Sequence, residues 1–147
     1  MTMPSVGDKA PWPAGVTDQH GAAVTLTQHA GKHVLLYFYP KDDTPGCTVE
    51  ACNFRDHRTD IDAVIYGISL DDAASHKAFI AKFNLPFSLL VETTGALAKA
   101  YGTIIPDRQY PTRSSFLVGP NGTLKAVWPK VDPKTHWEEV KAAIAAK

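Results

Sequence analysis

Residues 33–57, HVLLYFYPKDDTPGCTVEACNFRDH, decide the architecture. An apolar run from His33 to Tyr39 is closed by Pro40, a short polar loop follows, and a helix is expected from Pro45 to His57. A continuous apolar run of strand length is the pattern of a strand buried on both faces, as in parallel or mixed sheets. Thr44 stands where a helix N-cap belongs, and Pro45 where the first helical residue belongs. The proline ring also biases Thr44 toward the extended dihedrals an N-cap adopts. Cys47 therefore falls in the first helical turn, where unpaired backbone N–H groups and the positive end of the helix dipole gather.

Outward from this unit, the pattern alternates. Val16 to Leu26 reads as a hairpin turning at Asp18-Gln19-His20-Gly21, and Ala63 to Leu70 as a second buried strand. Asp72 to Asn84 is an amphipathic helix with Phe79, Ile80 and Phe83 on one face, stopped before Pro86. Phe87 to Val91 is a short strand and Gly95 to Tyr101 a short helix. Ser115 to Val118 and Thr123 to Trp128 are strands joined around Pro120-Asn121-Gly122. Pro133 to Ala146 forms the last helix, with Trp137, Val140 and Ile144 on one face. Strands alternating with helices and ending in a hairpin make an α/β fold, a central mixed sheet flanked by helices. This is the order of a thioredoxin-like fold with an added N-terminal β-hairpin.

Composition narrows the functions. The 147 residues suit one domain spanning 1–147, and no staple is needed to fold a chain of that size. Fifteen basic residues balance fifteen acidic ones, so no field favours nucleic acid or an acidic membrane surface. No stretch approaches the ~18 apolar residues of a membrane span. Met1 to Pro13 lacks the apolar core of a secretory signal, which leaves the cytoplasm as the expected compartment. Two cysteines in a cytoplasmic chain are expected to be inert core residues or chemically active ones, not a permanent brace. At a helix N-terminus Cys47 has a setting that favours thiolate, the attacking species in thiol chemistry. By position alone, a small buried hydrophobe remains an equal reading.

The string PKDDTPGCTVEACNFRD resembles the active-site segment of the peroxiredoxins, in the subgroup called bacterioferritin comigratory protein or peroxiredoxin Q. That family's pattern of Pro, three residues, Thr or Ser, two residues, Cys is met by Pro40, Thr44 and Cys47. The subgroup's second cysteine, five residues on, is met by Cys52. SLDDAASHKAFIAKFNLPFSLL, AKAYG, RSSFLVGPNG and KVDPKTHWEEV are similar to the family along nearly the whole chain. Two departures stand out. Val91-Glu92 replaces a common Ser-Asp, and Tyr101 to Arg113 is abbreviated, which bears on the rim of the peroxide pocket.

The resemblance implies that Cys47 is the peroxidatic cysteine, oxidised to a sulfenic acid, and that Cys52 resolves it as an intramolecular disulfide. It implies fixed donors for the charge of the transition state: the Thr44 hydroxyl, the backbone N–H groups of Gly46 and Cys47, and Arg113. Arg113 precedes a Ser-Phe-Leu strand as the family's arginine does, with Arg108 as the rival should the short loop shift the alignment. Pro40 shields the sulfur, and Tyr39 lines the pocket or belongs to the core. Glu50, one turn after Cys47, either orients Arg113 or is a surface carboxylate. His57 with the two cysteines matches no common zinc spacing, and no motif implies a cofactor. The expected partners are a hydroperoxide and thioredoxin, with glutaredoxin or a small thiol as alternative reductant, acting on a monomer. The rival of another class is a thioredoxin-fold binding or chaperone protein with non-catalytic cysteines.

Overall fold

The computed structural model describes residues 3–104 and 110–146. The apolar run forms β1 (Val34–Phe38), with all five residues buried. It is the middle strand of a five-stranded sheet that also contains β2 (Val64–Ser69), β3 (Ser88–Val91), β4 (Ser114–Val118) and β5 (Leu124–Trp128), in the order β3-β2-β1-β4-β5. β1 pairs in parallel with β2 and antiparallel with β4, and β2 in parallel with β3. The sheet is thus mixed, and the double burial of β1 follows from its central place.

Alternation along β1 supplies two cores. Val34, Leu36 and Phe38 pack with Leu97, Ala98 and Tyr101 from helix α3 (Ala96–Ala100) and its C-terminal residue, and with Ala10, Val16 and Val24 of the N-terminal segment. Leu35, Tyr37 and Tyr39 pack on the other face against α1 (Pro45–Asp56), α2 (Ala73–Phe83) and α4 (His136–Ala145), through Cys47, Ala51, Phe54, Phe79 and Val140. The second face carries the segment of chemical interest.

Local chemistry sets the element ends. The Asp72 carboxylate caps α2 by accepting from the Ser75 N–H at 2.9 Å, and Asn84 ends that helix in the left-handed region at φ 52°. Glu92, which departs from the family's common Ser-Asp, accepts from the Ala96 N–H at 3.0 Å and from the Thr94 hydroxyl, so it caps the short α3.

Two expectations are corrected. The N-terminal hairpin is shorter than expected, pairing over Val16 to Val24. Asp18 N donates to Ala22 O and Val24 N to Val16 O, but the only bridge within it is Thr17 to Ala23, and Leu26–His29 coils into a 3-10 helix. Thr17 also bridges Val91 at the sheet edge, and buried Gln19 accepts from the Leu89 N–H, so the turn is spent on capping β3. The last helix begins at His136, not Pro133. The Asp132 side chain accepts from Lys134 N and its carbonyl accepts from Thr135 and His136, which holds 132–135 as a turn before the helix starts.

Gly67 of β2 sits where a Cβ would lie 2.8 Å from the Tyr37 ring and 2.6 Å from Leu89. The Leu89 methyl can turn away, but the Tyr37 ring is stacked between Tyr39 and Phe54. Gly67→Ala is expected to destabilise the protein by about 1–3 kcal/mol through overpacking. Urea denaturation measures this, and unchanged stability would show that the ring has room to move.

Candidate active site

α1 starts as its sequence requires. Thr44 is extended at φ −94°, ψ 156°, with Pro45 behind it. Its hydroxyl does not cap the helix, however. It donates to the Lys41 carbonyl at 2.9 Å. As placed here, the hydroxyl donates to a carbonyl and presents its oxygen as an acceptor. Gly46 and Cys47 lie in the first turn, so their N–H groups have no partner within the helix.

Cys47 is 1 % exposed and faces the core side of α1. Arg113, just before β4, reaches across to it, with Nη2 donating to Sγ at 3.3 Å. The same guanidinium donates through Nη1 to Glu50 Oε1 at 3.0 Å. Position 46 has to be glycine for this approach, because a Cβ there would lie 2.9 Å from Arg113 Nη2. Arg113 is itself placed by the strand that follows it and by its carbonyl, which accepts from Val131 N. Ahead of it, Thr112 N donates to Thr103 O and Ile104 bridges Pro111. Arg108, the rival arginine, lies outside the described residues.

The electrostatics are those of a half-buried cation and two buried acids. Burial works against the Arg113 charge, but Glu50 and Cys47 outweigh it and hold the guanidinium above its ordinary range. Glu50 is not a surface carboxylate: it is 1 % exposed, and only Oε1 is bonded. Burial is the largest influence on it, Arg113 opposes that, and its carboxyl is pushed up to about 7.

The loop between Tyr39 and α1 is held from the opposite side by a group that the sequence reading did not assemble. Buried Asp42 accepts from Tyr39 Oη on Oδ1 at 2.5 Å and from Ser75 Oγ on Oδ2 at 2.8 Å. His76 Nδ1 lies 2.7 Å from Asp42 Oδ2, and His76 Nε2 lies 2.9 Å from the Leu90 carbonyl. A carbonyl only accepts, so Nε2 carries a hydrogen. The Asp42 N–H donates to Asp71. Tyr39 is thus core and anchor together, and burial holds its phenol well above its ordinary range, which keeps it a donor. One signal was available in the sequence: His76 lies three residues before Phe79, on the apolar face of α2. Pro40 is partly buried at the start of the loop.

Cys52 is partly buried on the same helix, and both cysteines are free. His57 at the end of α1 is stacked on Trp137 of α4, with ring centroids 3.4 Å apart. Among the described residues, no group of three or more His, Cys, Asp or Glu side chains is placed to hold a metal ion, and no helix is long and apolar enough to cross a membrane.

Residues 6–127 match the AhpC/TSA family. The chain is 42% identical over 144 residues to a protein of Coxiella burnetii named for the Bcp peroxiredoxins, covering 92% of this chain and 95% of that one. It is also 42% identical over 148 residues to peroxiredoxin Bcp of Bacillus subtilis, covering 95% of this chain and 93% of that one. Among solved structures it superposes on the Xanthomonas campestris bacterioferritin comigratory protein with a TM-score of 0.82 at 35% identity, over 88% of each chain. That structure was determined in work on alkyl peroxide reduction.

The Glu50 carboxyl provides a test of the site's burial. It titrates at about 7 when folded against its ordinary 4.5. A raised acid binds its proton more tightly in the folded state, so its contribution to stability is complete below about 4.5 and is lost as pH rises through about 7. At about 1.4 kcal/mol per unit the loss is up to about 3 kcal/mol. Glu50→Gln should lack this slope. Urea titrations of reduced wild type and variant at about pH 5 and about pH 7.5 check it. Parallel pH dependence in the two proteins would place an ordinary carboxylate at Glu50.

Proposed function

The chain belongs to the AhpC/TSA family as a thiol peroxidase of the Bcp and peroxiredoxin Q type, and on that premise we propose that Cys47 is its peroxidatic nucleophile and Cys52 its resolving cysteine. The observation that carries this reading is the Arg113 guanidinium 3.3 Å from a buried sulfur at the N-terminal turn of a helix. A fixed cation beside the sulfur favours the thiolate, and it meets the charge that spreads onto two oxygens as the O–O bond breaks.

The thiolate attacks the terminal oxygen of a hydroperoxide. An S–O bond forms, the O–O bond breaks, and the second oxygen leaves with the bonding pair to become water or an alcohol. Arg113 and the N–H groups of Gly46 and Cys47 donate to the reacting oxygens. Thr44 Oγ, with its own proton directed at Lys41, accepts from the O–H of the incoming peroxide. Pro40 shields the sulfur from bulk water. Glu50 holds the guanidinium in place.

Cys52 then attacks the sulfenic sulfur and water leaves. On an intact helix, residues five apart are separated by a rise of ~7.5 Å and a turn of ~140°, or roughly 8.7 Å between Cα atoms. A disulfide needs about 7 Å or less, with converging Cβ vectors. Resolution therefore requires part of α1 to unwind, and the unwound segment offers its disulfide to a dithiol reductant of the thioredoxin type.

The division of labour is open to kinetics. Cys47→Ser should abolish peroxide reduction. Arg113→Ala should slow the peroxide step on the order of 10²–10³-fold, as removal of a preorganised donor does elsewhere. Cys52→Ser should complete one reduction, lose thioredoxin-linked turnover and climb to sulfinic acid in excess peroxide. Stopped-flow rates and mass spectrometry check these outcomes. Full thioredoxin-driven turnover by Cys52→Ser would refute the two-cysteine cycle.

Amide hydrogen exchange reads the unwinding directly. Protection should fall on oxidation across residues 44–54 while β1, β2 and β4 stay protected, since local opening costs less than global unfolding. Unchanged protection in 44–54, with the Cys47–Cys52 disulfide confirmed by mass, would contradict the unwinding step.

A further inference from the structure

The site places one cation between two acids. Arg113 Nη1 is 3.0 Å from Glu50 Oε1, and Nη2 is 3.3 Å from Cys47 Sγ. Cys47 and Glu50 are each 1 % exposed. With both acids ionised, two buried anions would face one half-buried cation, a net negative charge that low-dielectric surroundings oppose. With one proton shared between the two acids, the triad is neutral.

We infer that Glu50 holds the proton displaced when Cys47 becomes a thiolate and surrenders it as the sulfur is oxidised. The inference rests on the assignment of Cys47 as nucleophile and gives Glu50 a task beyond orienting Arg113. In the reactive state the thiolate is charged and Glu50 is neutral. After attack, the sulfur is uncharged and Glu50 is the anion opposite Arg113. The balanced step is ROOH plus Cys47–S⁻ plus Glu50–COOH giving Cys47–SOH plus ROH plus Glu50–COO⁻. The proton from Glu50 completes the leaving alcohol or water, and the triad's charge is the same before and after.

The surroundings leave Glu50 this task. Its second oxygen, Oε2, is buried with no hydrogen-bond partner among the described residues, a setting that disfavours the charged form. Among the described residues, Arg113 ahead of β4 acts on it directly and Tyr37 on β1 lies within its field; Cys47 shares the guanidinium with it, and from α4 the His136 ring packs on Phe54, one turn along α1. Burial first and Glu50 second keep the Tyr37 phenol well above its ordinary range, so it does not exchange a proton near neutrality. Burial lowers His136, opposed by its bond to Glu139, so that ring is the weaker base. Glu50 itself is poised near neutrality, at about 7.

The test is the proton count of a single turnover, together with an infrared signature of the carboxyl. Reduced wild type and Glu50→Gln are mixed with one equivalent of hydrogen peroxide in weakly buffered indicator solution at about pH 6.5, and disulfide formation is quantified by mass spectrometry. Wild type should take up almost no proton per disulfide, because Glu50 supplies it. Glu50→Gln should take up about one. In infrared difference spectra, wild type should lose the C=O stretch of a protonated carboxyl on oxidation, and the variant should show no such loss. Equal uptake of about one proton by both proteins, or no protonated carboxyl lost from wild type, would overturn the inference while leaving the cysteine assignment standing. Absence of any oxidation at Cys47 would overturn the assignment and the inference together.

Discussion

The bridge made by Arg113 between the Cys47 sulfur and the Glu50 carboxyl is the constraint on which the site depends. It ties α1 to the strand at the far side of β1, so the helix that carries the nucleophile is fixed to the sheet by charge as well as by packing. A side chain at position 46 would push the guanidinium out of this position. It also explains why an acid can be buried one turn into the helix. Without the guanidinium, Glu50 would be a carboxylate in an apolar layer beside Phe54 and Ala51, and removing one partner of a buried pair costs far more than the pair contributes.

The two halves of α1 are held by different means. Its entry is anchored by the Asp42 group, where a phenol, a hydroxyl and an imidazole converge on one buried carboxylate whose geometry is set by β1, α2 and β3 together. Its exit is held by contacts nearer the surface. Asn53 donates to the carbonyls of Pro133 and Lys134, Arg55 donates to Phe83 O, and His57 stacks on Trp137. Hydrogen bonds open to water contribute little net stability when broken, because water replaces the partner. The polar contacts of the half carrying Cys52 therefore cost less to break than the buried network at Asp42, and the packing of Ala51 and Phe54 is what that half gives up when it opens. The asymmetry matches a cycle in which the entry loop keeps its place while the second cysteine travels.

Much of this was legible in the sequence, for reasons of local physics. The strand-loop-helix unit of residues 33–57 announces itself, because five buried apolar residues in a row and a Thr-Pro helix start each have one ready structural solution. Arg113 was nameable through the family resemblance and Glu50 through its place one turn after Cys47, but whether Glu50 faces solvent or core depends on which side of α1 meets β4, and no local pattern carries that. Thr44 was legible as the N-cap, but where its hydroxyl proton goes was not, because the nearby Lys41 carbonyl competes for it. The Asp42–His76 pair stayed hidden because its members lie 34 residues apart and belong to different elements. The N-terminal hairpin was overdrawn because alternation predicts pairing but not how much of the segment instead packs on the sheet edge.

The cost of burying Glu50 falls on the same helix that has to open. While α1 is docked, the acid is held away from water, and its ionised form is disfavoured. Once α1 unwinds, the carboxyl regains solvent and ionises freely, so at neutral pH and above the opened segment gains what the docked helix gives up. Oxidation pushes in the same direction. A neutral sulfenic sulfur no longer attracts Arg113 as a thiolate does, and the charge opposite the guanidinium passes to Glu50, an anion still buried while the helix is docked. The arrangement that stabilises the reactive thiolate thus weakens when the thiolate is consumed. The next step of the cycle, release of α1 toward Cys52, is favoured by the chemistry that precedes it.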